Sequence, residues 1–109
     1  MEAEMEYVAA LPAETLHAFT RSVFEKAGLS PEHAADGADV LLWASRRGVD
    51  THGVRNLKLI YLRMLEEGLI NPNASFSVEH ETPVSARVNG GGGLGLAAAS
   101  WAMRLAMDK

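Results

Sequence analysis

Residues 46–68 read RRGVDTHGVRNLKLIYLRMLEEG, and the point at which a helix starts within them decides how the chain folds. Val54, Leu57, Tyr61, Met64 and Leu65 return at intervals of three and four, the period of one helix face. A helix is therefore expected to begin near Gly53 and to stop at Gly68, which places His52 in its first turn. Two readings of this helix start stand side by side. In one, Asp50 or Thr51 caps the helix, His52 lies at the surface, and Arg46, Arg47 and Arg55 are solvated. In the other, the N–H groups and positive end of the helix hold a small carboxylate. Arginines then grip that carboxylate through paired hydrogen bonds, and His52 passes a proton to a neighbouring carbonyl.

Upstream of this stretch, Leu11 to Ala27 reads as a helix with Leu16, Phe19, Val23 and Ala27 inward and Gly28 at its end. In GLSPEH, Ser30 suits a helix cap and Pro31 the first helical position. The second helix runs to about Arg47, with Ala34, Ala38, Leu41, Leu42 and Ser45 inward and Gly48 as its stop. Downstream, NPNAS is turn chemistry. Phe76 and Val78 alternate, then Val84, Ala86 and Val88, with HETP between them, as in a β-hairpin or two neighbouring strands. After the glycine turn NGGGGLG, the stripe Leu94, Ala98, Trp101 and Leu105 marks a last helix that runs into Lys109 without a stop signal. The chain is expected to be cut inside or just after that helix, leaving Trp101 and Leu105 short of partners. The fold class is α+β: about four helices and a short hairpin, helical over residues 11–68, with strands, glycine turn and helix over 74–109.

Composition narrows the function. At 109 residues the chain is one domain or part of one. Ten Lys and Arg against 14 Asp and Glu give a net charge of −4, which supports no basic nucleic-acid surface. Cysteine is absent, so disulfides, thiolate catalysis and cysteine metal sites are excluded. No apolar run reaches the ~18 residues of a membrane span. MEAEMEYVAA is acidic where a signal peptide is basic, and a cytoplasmic protein is expected. His17, His33 and His80 lack metal-ligand spacing, and Glu66 and Glu67 point apart on a helix.

Gly90 to Gly95 satisfies G-x-G-x-x-G between a strand and a helix, the local context of a dinucleotide-binding turn. The acidic residue expected about 20 positions later would fall beyond Lys109, and no second parallel strand follows. A structural turn that holds no pyrophosphate is the expectation.

The stretch DVLLWASRRGVDTHGVRNLKLIYLRMLEEGLINPNA, followed by ETPVSARVNGGGGLGLAAASWAMRLAMDK, resembles the N-terminal part of the malate/L-lactate dehydrogenase family. This is the type-2 group that also includes enzymes acting on sulfolactate, ureidoglycolate and cyclic imino acids. The resemblance covers about Leu11 to Lys109. Its most specific piece is R-G-[IV]-D-[ST]-H-G-V at Arg47 to Val54, followed by Tyr61, Gly68 and INP. It implies a larger, non-Rossmann, homodimeric oxidoreductase that moves a hydride between NAD or NADP and a 2-hydroxy or 2-oxo acid such as malate or lactate. On that resemblance His52 is the proton donor and Thr51 its relay, with Arg55 and Arg47 as candidates for holding the substrate carboxylate. Many members carry the gripping arginine four residues after the histidine, where this chain has Asn56. Most residues that hold the cofactor, and an acidic partner for the histidine, lie in sequence outside this chain. A catalytically inert helical module for interaction or dimerisation, and an unrelated small anion-binding domain, are the alternatives.

Overall fold

In a computed structural model of the chain, which describes residues 10–109, four helices carry a two-stranded antiparallel hairpin. The acidic segment 1–9 lies outside the described residues. Helix α1 (Ala13–Lys26) packs along α2 (Pro31–Arg46), and α2 is the hub, touching α1, the last helix and a short turn after its own end. Local chemistry sets the ends of α2. Ser30 Oγ accepts the His33 N–H at 3.2 Å, Pro31 opens the helix, and Gly48 leaves it with φ +73°.

The core is formed by Phe24, Leu29, Ala34, Leu41, Leu57, Ile70, Leu94 and Ala97. The α1 face differs from expectation at one residue: Thr20 and Phe24 are fully buried, whereas Phe19 is 60% exposed. Phe19 and Phe24 are five residues apart, about 140° around a helix, so they cannot both face α2. Thr20 is accommodated because its hydroxyl donates to Leu16 O at 2.8 Å within the helix.

The third helix also differs. Asp50–His52 forms a separate 3-10 turn, and the helix begins beyond it as a π-helical stretch, Leu57–Leu62, that runs into α3 (Arg63–Glu66). Its inward stripe is as expected, with Leu57 buried and Val54, Tyr61, Met64 and Leu65 packed against the core. The Tyr61 ring meets Phe24 edge-on at 6.3 Å.

Strands β1 (Ser77–Thr82) and β2 (Ser85–Asn89) pair antiparallel, with an irregularity between Val78 and His80. HETP is not the separator. His80, Glu81 and Thr82 belong to β1, while Pro83 and Val84 make the turn, where Val84 is 85% exposed. Proline pre-sets the first turn position and cannot donate to a ladder, which moves the turn one residue downstream. Phe76 precedes β1 and stacks on His33 at 4.3 Å and against Trp101 at 5.9 Å.

Helix α4 (Gly95–Asp108) returns across α2, where Arg104 holds Asp36 through two bonds of 3.1 and 2.8 Å. That hydrogen bond raises the Arg104 pKa. Trp101 and Leu105 are half-buried, contrary to expectation, because Trp101 covers Phe76. The exposed apolar surface of α4 is instead Met103 and Met107, 60% and 70% exposed. Among the described residues no helix is long and apolar enough to cross a membrane.

Candidate functional site

The stretch from Arg47 to Asn56 is a chain of tight turns laid against the end of α2. Val49 N donates back to Ala44 O at 3.0 Å, His52 N to Val49 O at 3.1 Å, and Gly53 N to Asp50 O at 3.2 Å. At Gly53 the chain comes so near α2 that a Cβ would collide with Ser45 Oγ and lie 3.2 Å from Ser45 N. Glycine is required here for close approach, and its backbone is extended. Ser45 Oγ then accepts the Val54 N–H at 3.0 Å, which pins the departing chain. Ser45 is thus the helix-face residue whose polarity has a use, and Gly53 is its necessary counterpart.

Neither reading of the helix start survives in its original form. No side chain caps the 3-10 turn or the π-helical stretch. Nor is there an open set of N–H donors for an anion. The amides of His52 and Gly53 are bonded within the loop and that of Val54 to Ser45 Oγ on α2, while those of Asn56 and Leu57 go to Gly53 O at 3.1 Å and Val54 O at 2.9 Å. What the turn does present is a side-chain pair. Thr51 Oγ1 lies 2.9 Å from His52 Nδ1, and both residues are exposed. Asn56 Nδ2 donates to Thr51 O at 2.7 Å.

The arginines diverge. Arg47 lays its guanidinium 3.8 Å over the Trp43 ring and donates to Trp43 O at 3.2 Å. It lines a groove of about 600 Å³ with Arg46 and the hydrogen-bonded pair His17–Asp39, whose Nε2–Oδ1 distance is 2.6 Å. Arg55 lines a different, more apolar groove of about 640 Å³, walled by Phe19, Val23, Leu57 and Leu62. Among the described residues no ion pair engages Arg55. The sequence spacing could not show this divergence, because it follows from the path of the chain between two helices. The exposed aromatic Trp43 and the Asn56 brace were missed as well. A tryptophan four residues before an arginine on one helix is the signal that could have found the first.

The resemblance implies a nicotinamide dinucleotide, whose pyrophosphate needs free backbone donors. Two of the amides in the glycine turn are already taken. Gly91 N donates to Asn89 Oδ1 at 2.7 Å and Gly93 N to Gly90 O at 2.9 Å. A Cβ on Gly91 would stand 2.9 Å from Ser75 O, and one on Gly93 would stand 2.6 Å from Ala74 Cβ. These glycines let the chain pass close to the Ala74–Ser75 segment. The preceding sheet is a two-stranded antiparallel hairpin with no parallel crossover.

Comparison with known proteins agrees with this architecture. The malate/L-lactate dehydrogenase family model matches residues 11–109. The malate dehydrogenase of Pyrococcus horikoshii is 35% identical over 99 residues, 91% of this chain and 27% of that protein. The NAD(+) ureidoglycolate dehydrogenase of Escherichia coli K12 is 34% identical over 94 residues, 86% of this chain and 27% of that protein. The crystal structure of malate dehydrogenase from Entamoeba histolytica superposes with a TM-score of 0.86 at 32% identity, covering 90% of this chain and 27% of that one. The chain therefore spans about a quarter of the length of the curated relatives it matches. With the match running from α1 through the Thr51–His52 turn to the end of α4, this chain belongs to the malate/L-lactate dehydrogenase family.

Proposed function

We propose that this chain supplies the proton-transfer side of an oxidoreductase that interconverts 2-hydroxy and 2-oxo acids with NAD or NADP, as a cytoplasmic homodimer. The observation that carries the reading is the 2.9 Å contact between Thr51 Oγ1 and His52 Nδ1 on an exposed turn. A hydroxyl can donate or accept, so it serves both forms of the imidazole. In the imidazolium, Nδ1–H donates to Thr51 Oγ1 and Nε2–H gives its proton to a substrate carbonyl oxygen, leaving the neutral Nδ1–H ring. With Nδ1–H donating to Thr51, Nε2 is unprotonated and acts as a base toward a substrate hydroxyl. One turn thus serves both directions of the same reaction.

Arg55 is the better candidate for the substrate carboxylate, because Arg47 is already engaged by Trp43. Hydride transfer is the cofactor's chemistry, and no step of it is assigned to residues of this chain. Relatives named for malate and ureidoglycolate support this substrate class. The test is to assay the full-length protein with malate, lactate, sulfolactate and ureidoglycolate, each with NAD and NADP. Reduced nicotinamide is followed by absorbance in the wild type and in His52→Ala. Turnover that vanishes in the variant supports the reading, and a wild type inert toward every pair favours an interaction module instead.

A further inference from the structure

The Asn56 side chain turns back into the loop: Nδ2 donates to Thr51 O at 2.7 Å. That carbonyl belongs to the residue whose hydroxyl reaches His52 Nδ1 at 2.9 Å. Asn56 is half-buried and its own N–H is bonded to Gly53 O at 3.1 Å, so the donor is held at a fixed place on the stem of the third helix. Asn56 thus holds the backbone of the residue whose side chain meets the imidazole. On the other side, Ser45 Oγ and Gly53 fasten the same turn to α2.

From this we infer that Asn56 is a positioning residue: it locks the Thr51 peptide and, through the Thr51 hydroxyl, sets the tautomer and direction of His52. The inference rests on the assignment of His52 as the proton-transfer group. Two consequences follow. Asn56 makes no contact with the carboxylate of a substrate, which falls to a separate arginine. The neutral ring is held in a single tautomer, because the braced Thr51 hydroxyl keeps one hydrogen-bond direction toward Nδ1.

The test is made on the full-length protein, with histidine labelled with ¹⁵N and Asn56 changed to Ala or to Asp. Asn56→Asp keeps the shape but removes the donor and sets a carboxylate against a carbonyl oxygen. A role in shape alone would rank Asp above Ala, and a role as donor ranks Asp at or below Ala. Long-range proton–nitrogen spectra of neutral His52 should show one tautomer dominant in the wild type and a mixture of tautomers in both variants. The turnover number should fall about two- to tenfold, with the KM for the acid little changed, as for loss of one net hydrogen bond. Wild-type spectra and turnover in Asn56→Asp, alongside an inactive His52→Ala, overturn the role of Asn56 and leave His52 in place. Full turnover in His52→Ala overturns the assignment of His52, while altered tautomers in the Asn56 variants still uphold the brace.

Discussion

Gly53→Ala puts the seam between the His52 turn and α2 under direct load. Gly53 has φ −100° and ψ −157°, extended backbone that alanine adopts without strain, so the whole cost is steric. The new methyl would collide with Ser45 Oγ and press on Ser45 Cβ and N, each at 3.2 Å. The hydroxyl can rotate away, but Val54 N, 3.0 Å from it, then loses its acceptor. A donor left unpaired costs about 1–3 kcal/mol when buried, and overpacking against a backbone that cannot rotate costs about 1–3 kcal/mol. Because Val54 is half-buried, water recovers part of the first amount. The net expectation is a loss of about 2–4 kcal/mol. With a urea m-value of ~2 kcal/mol per molar, the unfolding midpoint should drop by roughly 1–2 M. Urea titration followed by tryptophan fluorescence measures it. Ser45→Ala removes the colliding oxygen, so the double variant should lose clearly less than the sum of the single losses, with a coupling of ~0.5–3 kcal/mol. An unchanged midpoint in Gly53→Ala, or strictly additive losses, would refute the close-approach argument.

At the chemical end of the turn, His52→Ala should lower kcat by about 10²–10⁴-fold with cofactor affinity nearly unchanged, in steady-state kinetics of the full-length enzyme. Arg55→Ala should mainly raise KM for the acid; unaltered KM would move the grip to Arg46 or Arg47. In the glycine turn, Gly93→Ala should destabilise by about 1–3 kcal/mol through its contact with Ala74, without weakening NAD or NADP binding measured by calorimetry. Gly95→Ala meets nothing within 4 Å and begins α4, so thermal unfolding should show it neutral or stabilised by up to about 1 kcal/mol. A dinucleotide-binding turn would instead lose the cofactor on that change. The 109-residue chain by itself exposes Phe19, Leu59, Met103 and Met107 and should self-associate at micromolar concentration. A single monomeric boundary in sedimentation velocity would contradict this.

What was legible in the sequence was whatever local chemistry controls. The Ser30–Pro31 helix start, the stop at Gly48 and the stripe from Leu57 to Leu65 depend on neighbours within a few residues. They could therefore be read without knowing the fold. The Thr51–His52 pair was legible for the same reason, since adjacent residues cannot be far apart. Tertiary contacts decided the rest. Phe19 was turned outward because α2 covers the face that carries Thr20 and Phe24 instead. The third helix starts late because Ser45, nine residues before Val54, captures its N–H and fastens the turn to α2. Arg47 and Arg55, near in sequence, part company because Trp43 holds one while the chain's path past Gly53 delivers the other to the Phe19 groove. Spacing along a chain encodes angles around one helix. It does not encode which second element arrives to take up a hydrogen bond, and that choice set the geometry of the site.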